Sequence, residues 1–167
     1  MITLASVARP GPRFLFAHPA HFIALGCGSG LAPIAPGTFG SLFGWISFIV
    51  LEARVGPSGC AWLIGGGFIA GIWACQKTGR DLGAPDHGAM VWDEVIAMWS
   101  VLLFTPQTLE WQAAGFVLFR FFDIVKPPPI RTIDRRWKGG LGVMWDDMVA
   151  AFYTLLILAL ATRLFGG

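Results

Sequence analysis

Gly37–Gln76 reads GTFGSLFGWISFIVLEARVGPSGCAWLIGGGFIAGIWACQ, and only Glu52 and Arg54 in it are charged. Those two charges and Gly56-Pro57-Ser58-Gly59 separate a pair of apolar blocks. The first has no Lys, Arg, Asp or Glu back to Phe14, and the second has none from Val55 to Gln76. Three more uncharged runs follow, Val95–Leu109, Trp111–Phe119 and Met148–Thr162. In a typical soluble domain about a quarter of residues are charged. Here the share is 13%, against 55% hydrophobic and 14% aromatic, with mean hydropathy +0.65. A bilayer is therefore the expected solvent for much of the surface.

The blocks predict helices at about 39–54, 59–77, 90–104, 109–125 and 146–164, with a sixth, interfacial one around 14–26. Open sheet edges cannot face lipid, and the blocks lack the period-2 alternation of an outer-membrane barrel. The expected fold is all-α, a compact multi-span transmembrane bundle of about five helices forming one domain over 1–167. A span needs about 20 apolar residues, so several candidates are short. Such hydrophobicity excludes disorder, and a net charge of +2 gives no electrostatic reason for nucleic-acid binding.

Arg9 and Arg13 precede the first block, Lys77 and Arg80 lie between the second and third, and Lys126, Arg131, Arg135, Arg136 and Lys138 between the fourth and fifth. The positive-inside rule places all three segments in the cytoplasm, with Arg163 dissenting. The third block then begins at the cytoplasmic face with Asp93 and Glu94, and the fourth returns there with Arg120, Asp123 and Lys126. The fifth opens with Asp146 and Asp147, and the first just after Thr38. Four chain-distant polar clusters meet at one membrane surface, where ionisable groups must be paired, hydrated or bound to a cation.

Carboxylates with no Cys or His at ligand spacing suit Mg²⁺ rather than zinc, and Mg²⁺ usually shares its coordination with water and substrate phosphate. With the basic 126–138 loop, the pattern fits a phosphate-ester site. Each feature also has a plainer reading. Acids at helix starts meet the helix dipole, Arg120 and Asp123 form an intrahelical pair, and Thr38 caps its helix. Gly139-Gly140-Leu141-Gly142 is a flexible turn or a phosphate nest. His18 and His21 read as interfacial, His87 as a loop residue near the acids, and the three cysteines as small buried residues. Ala24-Leu25-Gly26-Cys27 departs from a lipoprotein box, and the N-terminus is not read as a cleaved signal. Six residues after each cysteine stand Pro33, Gly66 and Asp81, which excludes a Cys-x5-Arg phosphatase.

The motifs Gly28-Ser-Gly-Leu-Ala-Pro-Ile-Ala-Pro-Gly-Thr-Phe-Gly-Ser41, Asp86-His-Gly with Val91-Trp-Asp-Glu94, Phe119-Arg-Phe-Phe-Asp-Ile-Val-Lys-Pro127 with Pro129-Ile-Arg131, and Asp134-Arg-Arg136 with Gly139-Gly and Asp146-Asp147 occur in that order. The sequence strongly resembles the phosphatidylglycerophosphatase A family over about residues 26–150. The resemblance implies a Mg²⁺-dependent hydrolase in phosphatidylglycerol biosynthesis, multi-pass in the bacterial inner membrane with its site facing the cytoplasm. Its substrate would be the lipid phosphatidylglycerophosphate. The family's acidic motif positions fall on Asp93, Glu94, Asp123, Asp134, Asp146 and Asp147, with Thr38, Lys126 and Arg131 in the neighbouring polar motifs, and the roles expected of them make Glu94, Asp123, Lys126 and Asp134 catalytic. Thr38, Lys126 and Arg131 fall at the substrate phosphate, and Asp93, Asp123, Asp146 and Asp147 at the metal. Pro128 adds a third proline to a Lys-Pro-x-Pro motif. Direct attack by water and an Asp nucleophile both remain open. The rival class is a small membrane ion or solute transporter using the same acids, though a transporter should place them near mid-membrane.

Overall fold

The structure is a computed structural model that describes residues 9–128 and 130–165, without the side chains of 133–135 and 165. Every element among the described residues is helical. Pro12 and Pro19 stand in the first turns of two short helices, α1 (Pro12–Ala17) and α2 (Pro19–Ala24), where a missing N–H costs nothing. Between them His18 is extended, and its Nδ1 accepts the Ala20 N–H at 3.0 Å. The single helix expected over 14–26 is thus divided by Pro19. A 3-10 segment, Gly26–Leu31, turns the chain through left-handed Cys27 and Gly28.

Helix α3 (Pro36–Leu82) contains one non-helical residue, Gly56, at φ 68° and ψ 177°, followed by Pro57. The positive φ suits glycine and the proline cannot continue the preceding ladder, so the chain folds there into two arms, 36–55 and 57–82. Both arms pack on α4 (Trp92–Leu103) through glycines. Gly40 and Gly44 lie against Val91 and Val95, while Gly67 and Gly71 lie against Ile96 and Trp92, in the opposite order along α4. The arms are therefore antiparallel, as the two blocks predicted, but their turn is shorter than the 54–59 gap.

Helix α4 is the core. Asp93 and all residues from Val95 to Leu102 are buried, and twelve residues make a rod of about 18 Å. Around it stand the arms of α3, α5 (Leu109–Val125) and α7 (Gly140–Phe165). At the end away from Asp93, Trp45 Nε1 donates to Gln112 Oε1 at 2.8 Å, and Gln107 Nε2 donates to the Leu102 carbonyl at 2.8 Å, satisfying the C-terminal end of α4. Helix α7 starts six residues before the predicted 146. Gly140 lies too close to the Ile72 carbonyl for any side chain, and its N–H donates to Gln76 Oε1 at 3.0 Å. The glycine run is a packed helix start instead of a free turn.

Among the described residues two helices, α3 and α7, are long and apolar enough to cross a membrane. Their outward faces carry large apolar side chains, among them Trp62, Ile69, Phe152 and Leu160. His21 is buried instead of interfacial. Its Nε2 lies 2.7 Å from Asp81 Oδ2 and its Nδ1 2.9 Å from the Phe14 carbonyl, which ties the N-terminal helices to the end of α3. Cys60 and Cys75 are buried as expected, whereas Cys27 is exposed.

Candidate active site

Four elements bring their polar residues to one place. Asp93 and Glu94 occupy the first turn of α4. Asp123 and Lys126 come from the last turn and C-cap of α5, and Asp146 and Asp147 from the second turn of α7. Gly37 enters from the first turn of α3 and touches Glu94 Oε1 so closely that a Cβ there would collide with it. A glycine is required by that approach.

Ligand-capable oxygens of Asp93, Glu94 and Asp147 all lie within 4.8 Å of one another. Adjacent helical residues point about 100° apart, yet both Asp93 and Glu94 reach the group, because the longer glutamate can swing back towards its neighbour. Asp93 and Asp147 are buried, and Glu94 is nearly so. Asp93 Oδ1, Glu94 Oε2 and Asp147 Oδ2 are each buried without a hydrogen-bond partner. Asp123 lies against Asp147.

Two cations balance some of this charge. Arg120 Nη1 lies 2.6 Å from Asp123 Oδ2, 3.7 Å from Glu94 Oε1 and 3.3 Å from Ser41 Oγ, so one guanidinium spans α3, α4 and α5. Ser41 is held for this contact by its own bond to the Gly37 carbonyl at 2.9 Å. Lys126 adopts a left-handed backbone, φ 45°, which ends α5, and its Nζ meets Asp146 Oδ2 at 2.5 Å. The sequence puts Arg120 at the same face as the acids and pairs it locally with Asp123. Its reach to Glu94 and Ser41 is tertiary.

The remaining predicted residues are placed more loosely. Thr38 is the third residue of α3, after Pro36, and the cap position belongs to Ala35, so Thr38 does not cap its helix. It follows Gly37, the residue that touches Glu94 and Arg120. Arg131 is exposed on α6 (Ile130–Arg136) and joins none of the described ion pairs around the acids. Asp134 belongs to the same helix, but its side chain lies outside the described residues.

Buried carboxylates without partners are among the costliest arrangements a protein can hold, and a bound cation relieves them. All the donors are carboxylate oxygens, the set that suits Mg²⁺. The residues present therefore fit a hard divalent ion at Asp93, Glu94 and Asp147, with Asp123 beside them.

A family model described as Phosphatidylglycerophosphatase A matches residues 22–162. A protein of that name from Haemophilus influenzae (strain ATCC 51907 / DSM 11121 / KW20 / Rd) is 43% identical over 141 residues, 84% of this chain and 86% of its own. Another of that name, from Escherichia coli (strain K12), is 44% identical over 147 residues, 87% of this chain and 85% of its own. A putative phosphatidylinositol-3-phosphatase from Bacteroides thetaiotaomicron is 38% identical over 151 residues, 86% of this chain and 94% of its own. No solved structure gives a significant match. Nothing among these relatives supports the transporter alternative. With the acids gathered on four elements and the family model covering most of its length, the chain belongs to the phosphatidylglycerophosphatase A family of phosphatases.

Proposed function

We propose that this protein hydrolyses the phosphomonoester of phosphatidylglycerophosphate to phosphatidylglycerol and inorganic phosphate, in a Mg²⁺-dependent reaction at the cytoplasmic face of the bacterial inner membrane. The observation that carries the reading is the trio of Asp93, Glu94 and Asp147 within 4.8 Å, each with a buried oxygen lacking a partner. A trio of this kind is poor structural glue and a good cation site.

Asp93 and Asp147 would hold the ion, with Glu94 of the same trio kept for its water, Asp123 beside them and Asp146 positioning Lys126. Bound there, Mg²⁺ supplies charge neutralisation at the phosphate oxygens and a more acidic water. Lys126 ends α5 at the edge of the acids, where its ammonium can shift from Asp146 to a phosphate oxygen. Arg131, exposed on the next helix, and Thr38 on the opposite rim extend the phosphate-facing surface. Glu94 Oε1 faces Arg120, which leaves Oε2 to take a proton from the attacking water. Water oxygen bonds to phosphorus as the P–O bond to the glycerol breaks, and the proton taken by Glu94 passes to the departing alkoxide, which becomes the lipid's free hydroxyl. Asp134 remains a proposed catalytic residue on the family motif alone.

The membrane reading rests on the apolar faces of α3 and α7. The 20-residue first arm of α3 measures about 30 Å and the second more, the thickness of a hydrocarbon core. We place both arms, α5 and α7 as spans around a buried α4, with the basic 126–138 loop in the cytoplasm.

The test is phosphate release by the purified protein from phosphatidylglycerophosphate, with and without Mg²⁺ and chelator. Phosphatidylinositol 3-phosphate serves as second substrate, because one relative carries that name. Release that needs Mg²⁺ and prefers the glycerol lipid supports the reading, whereas release unaffected by chelator contradicts its metal dependence.

A further inference from the structure

A mostly apolar cavity of about 730 Å³ runs between Phe48, Leu103, Phe104, Phe152, Leu155 and Ala159. A second, about 390 Å³, lies between Ile64, Gly65, Ser100, Met148 and Ala151, and shares Leu103, Phe104, Phe152 and Leu155 with the first. The two form one groove along α7 from Met148 to Thr162. Its walls are the arms of α3, the end of α4 and α7. Two of these helices, α3 and α7, are long and apolar enough to cross a membrane.

The groove begins where the acids end. Met148 follows Asp147 in the chain, Ala151 lies one turn below Asp147 on α7, and Ser100 lies two turns below Asp93 on α4. Ser100 Oγ turns back to the Ile96 carbonyl at 2.9 Å, so that wall offers little to a polar ligand. From Met148 to Thr162 the helix rises about 21 Å, against about 15 Å for half of a hydrocarbon core. Polar side chains return at the far end, where Glu52 and Gln107 line the wider cavity.

We propose that this groove seats one acyl chain of the substrate lipid while its phosphomonoester reaches Asp93, Glu94 and Asp147. The proposal rests on the lipid-phosphatase reading and adds where the chain lies. The ligand class is a long-chain phospholipid with a phosphomonoester headgroup, and the groove makes the enzyme read chain length as well as phosphate.

Gly65 and Gly66 separate this from ordinary lipid contact. A Cβ at either has no neighbour within 4 Å, so both accept a side chain, and only Gly65 lines the groove. Gly65→Phe and Gly66→Phe are compared with wild type on dioleoyl and on dihexanoyl phosphatidylglycerophosphate. Gly65→Phe should raise KM for the dioleoyl lipid about tenfold, the loss of roughly two buried methylenes, and leave the dihexanoyl lipid unchanged. Gly66→Phe should match wild type on both. Unchanged KM in Gly65→Phe, or an equal loss on both lipids, overturns the proposal. A phosphatidylglycerophosphate carrying a diazirine at one chain end should label the 148–162 segment in wild type and Gly66→Phe and spare it in Gly65→Phe. Equal labelling in all three overturns the groove. If wild type releases phosphate from neither lipid, the reaction reading fails by itself and the labelling decides the groove.

Discussion

Arg120 on α5 and Glu94 on α4 face each other at 3.7 Å, both largely buried, with Gly37 of α3 wedged against the pair. Arg120 also holds Asp123 at 2.6 Å, so its charge is shared by two acids from two helices. Removing it leaves those carboxylates buried together. Arg120→Ala should cost about 3–5 kcal/mol of stability; Arg120→Lys should cost less, because it keeps the charge, but not nothing, because an ammonium cannot reach Glu94, Asp123 and Ser41 in one plane. Unfolding midpoints in detergent, with kcat measured on the folded fraction, check both. An Arg120→Ala variant as stable and active as wild type would show that the pair is incidental.

Gly37→Ala inserts a methyl where Glu94 Oε1 already sits, with Arg120 on its other side. Glu94 must move by a fraction of an ångström or more, and misplacement of about 1 Å can cost on the order of a hundredfold in rate. The expected result is a folded protein with kcat reduced about ten- to a hundredfold. Gly66→Ala is the control, because its Cβ meets nothing.

Asp93 and Asp147 should show function opposed to stability. Each keeps a buried oxygen without a partner beside other acids. Without divalent ions at pH 8, Asp147→Asn should unfold at a higher temperature than wild type, because like charges are removed from a buried cluster. Added Mg²⁺ should stabilise wild type, by about 2.7 kcal/mol at a hundred times its dissociation constant, and leave Asp147→Asn nearly unmoved. Thermal melts with Mg²⁺ and with chelator read both effects.

His87 gives a pH signature outside the membrane helices. Its Nδ1 accepts the Ala89 N–H at 3.1 Å, and burial holds its imidazole below the ordinary value of 6.5, with Asp86 pulling weakly the other way. Between the folded and ordinary values the unfolded chain binds more protons, so stability rises with pH there and is level above. The contribution is lost as pH falls below 6.5. In His87→Gln, hydrogen exchange of the 83–91 loop should lose that dependence.

The sequence showed the long helices through their apolar blocks, but it left α6 inside the basic loop and missed the break at Pro19. Leu109–Val125 agrees with the helix predicted at about 109–125, with Glu110 in its first turn and Lys126 with its prolines at its end. The start of α7 was missed because Gly139–Gly142 reads as a turn by propensity, and only the Gln76 and Ile72 backbone contacts explain glycines inside a helix. The acids were visible as rare charges at block ends. Their division was not, since what places Glu94 among the acids and Asp146 opposite Lys126 is packing between chain-distant helices. His21 was misread for the same reason, because its partner Asp81 lies sixty residues away.

The most direct measurement is kcat of purified, folded Asp93→Asn, Glu94→Gln and Asp147→Asn on phosphatidylglycerophosphate at saturating Mg²⁺. If these three carboxylates carry the reaction, each variant loses at least on the order of a hundred- to a thousandfold, about 3–4 kcal/mol of transition-state stabilisation. A variant of any of the three that turns over within about threefold of wild type, less than 1 kcal/mol, would contradict the assignment of this site.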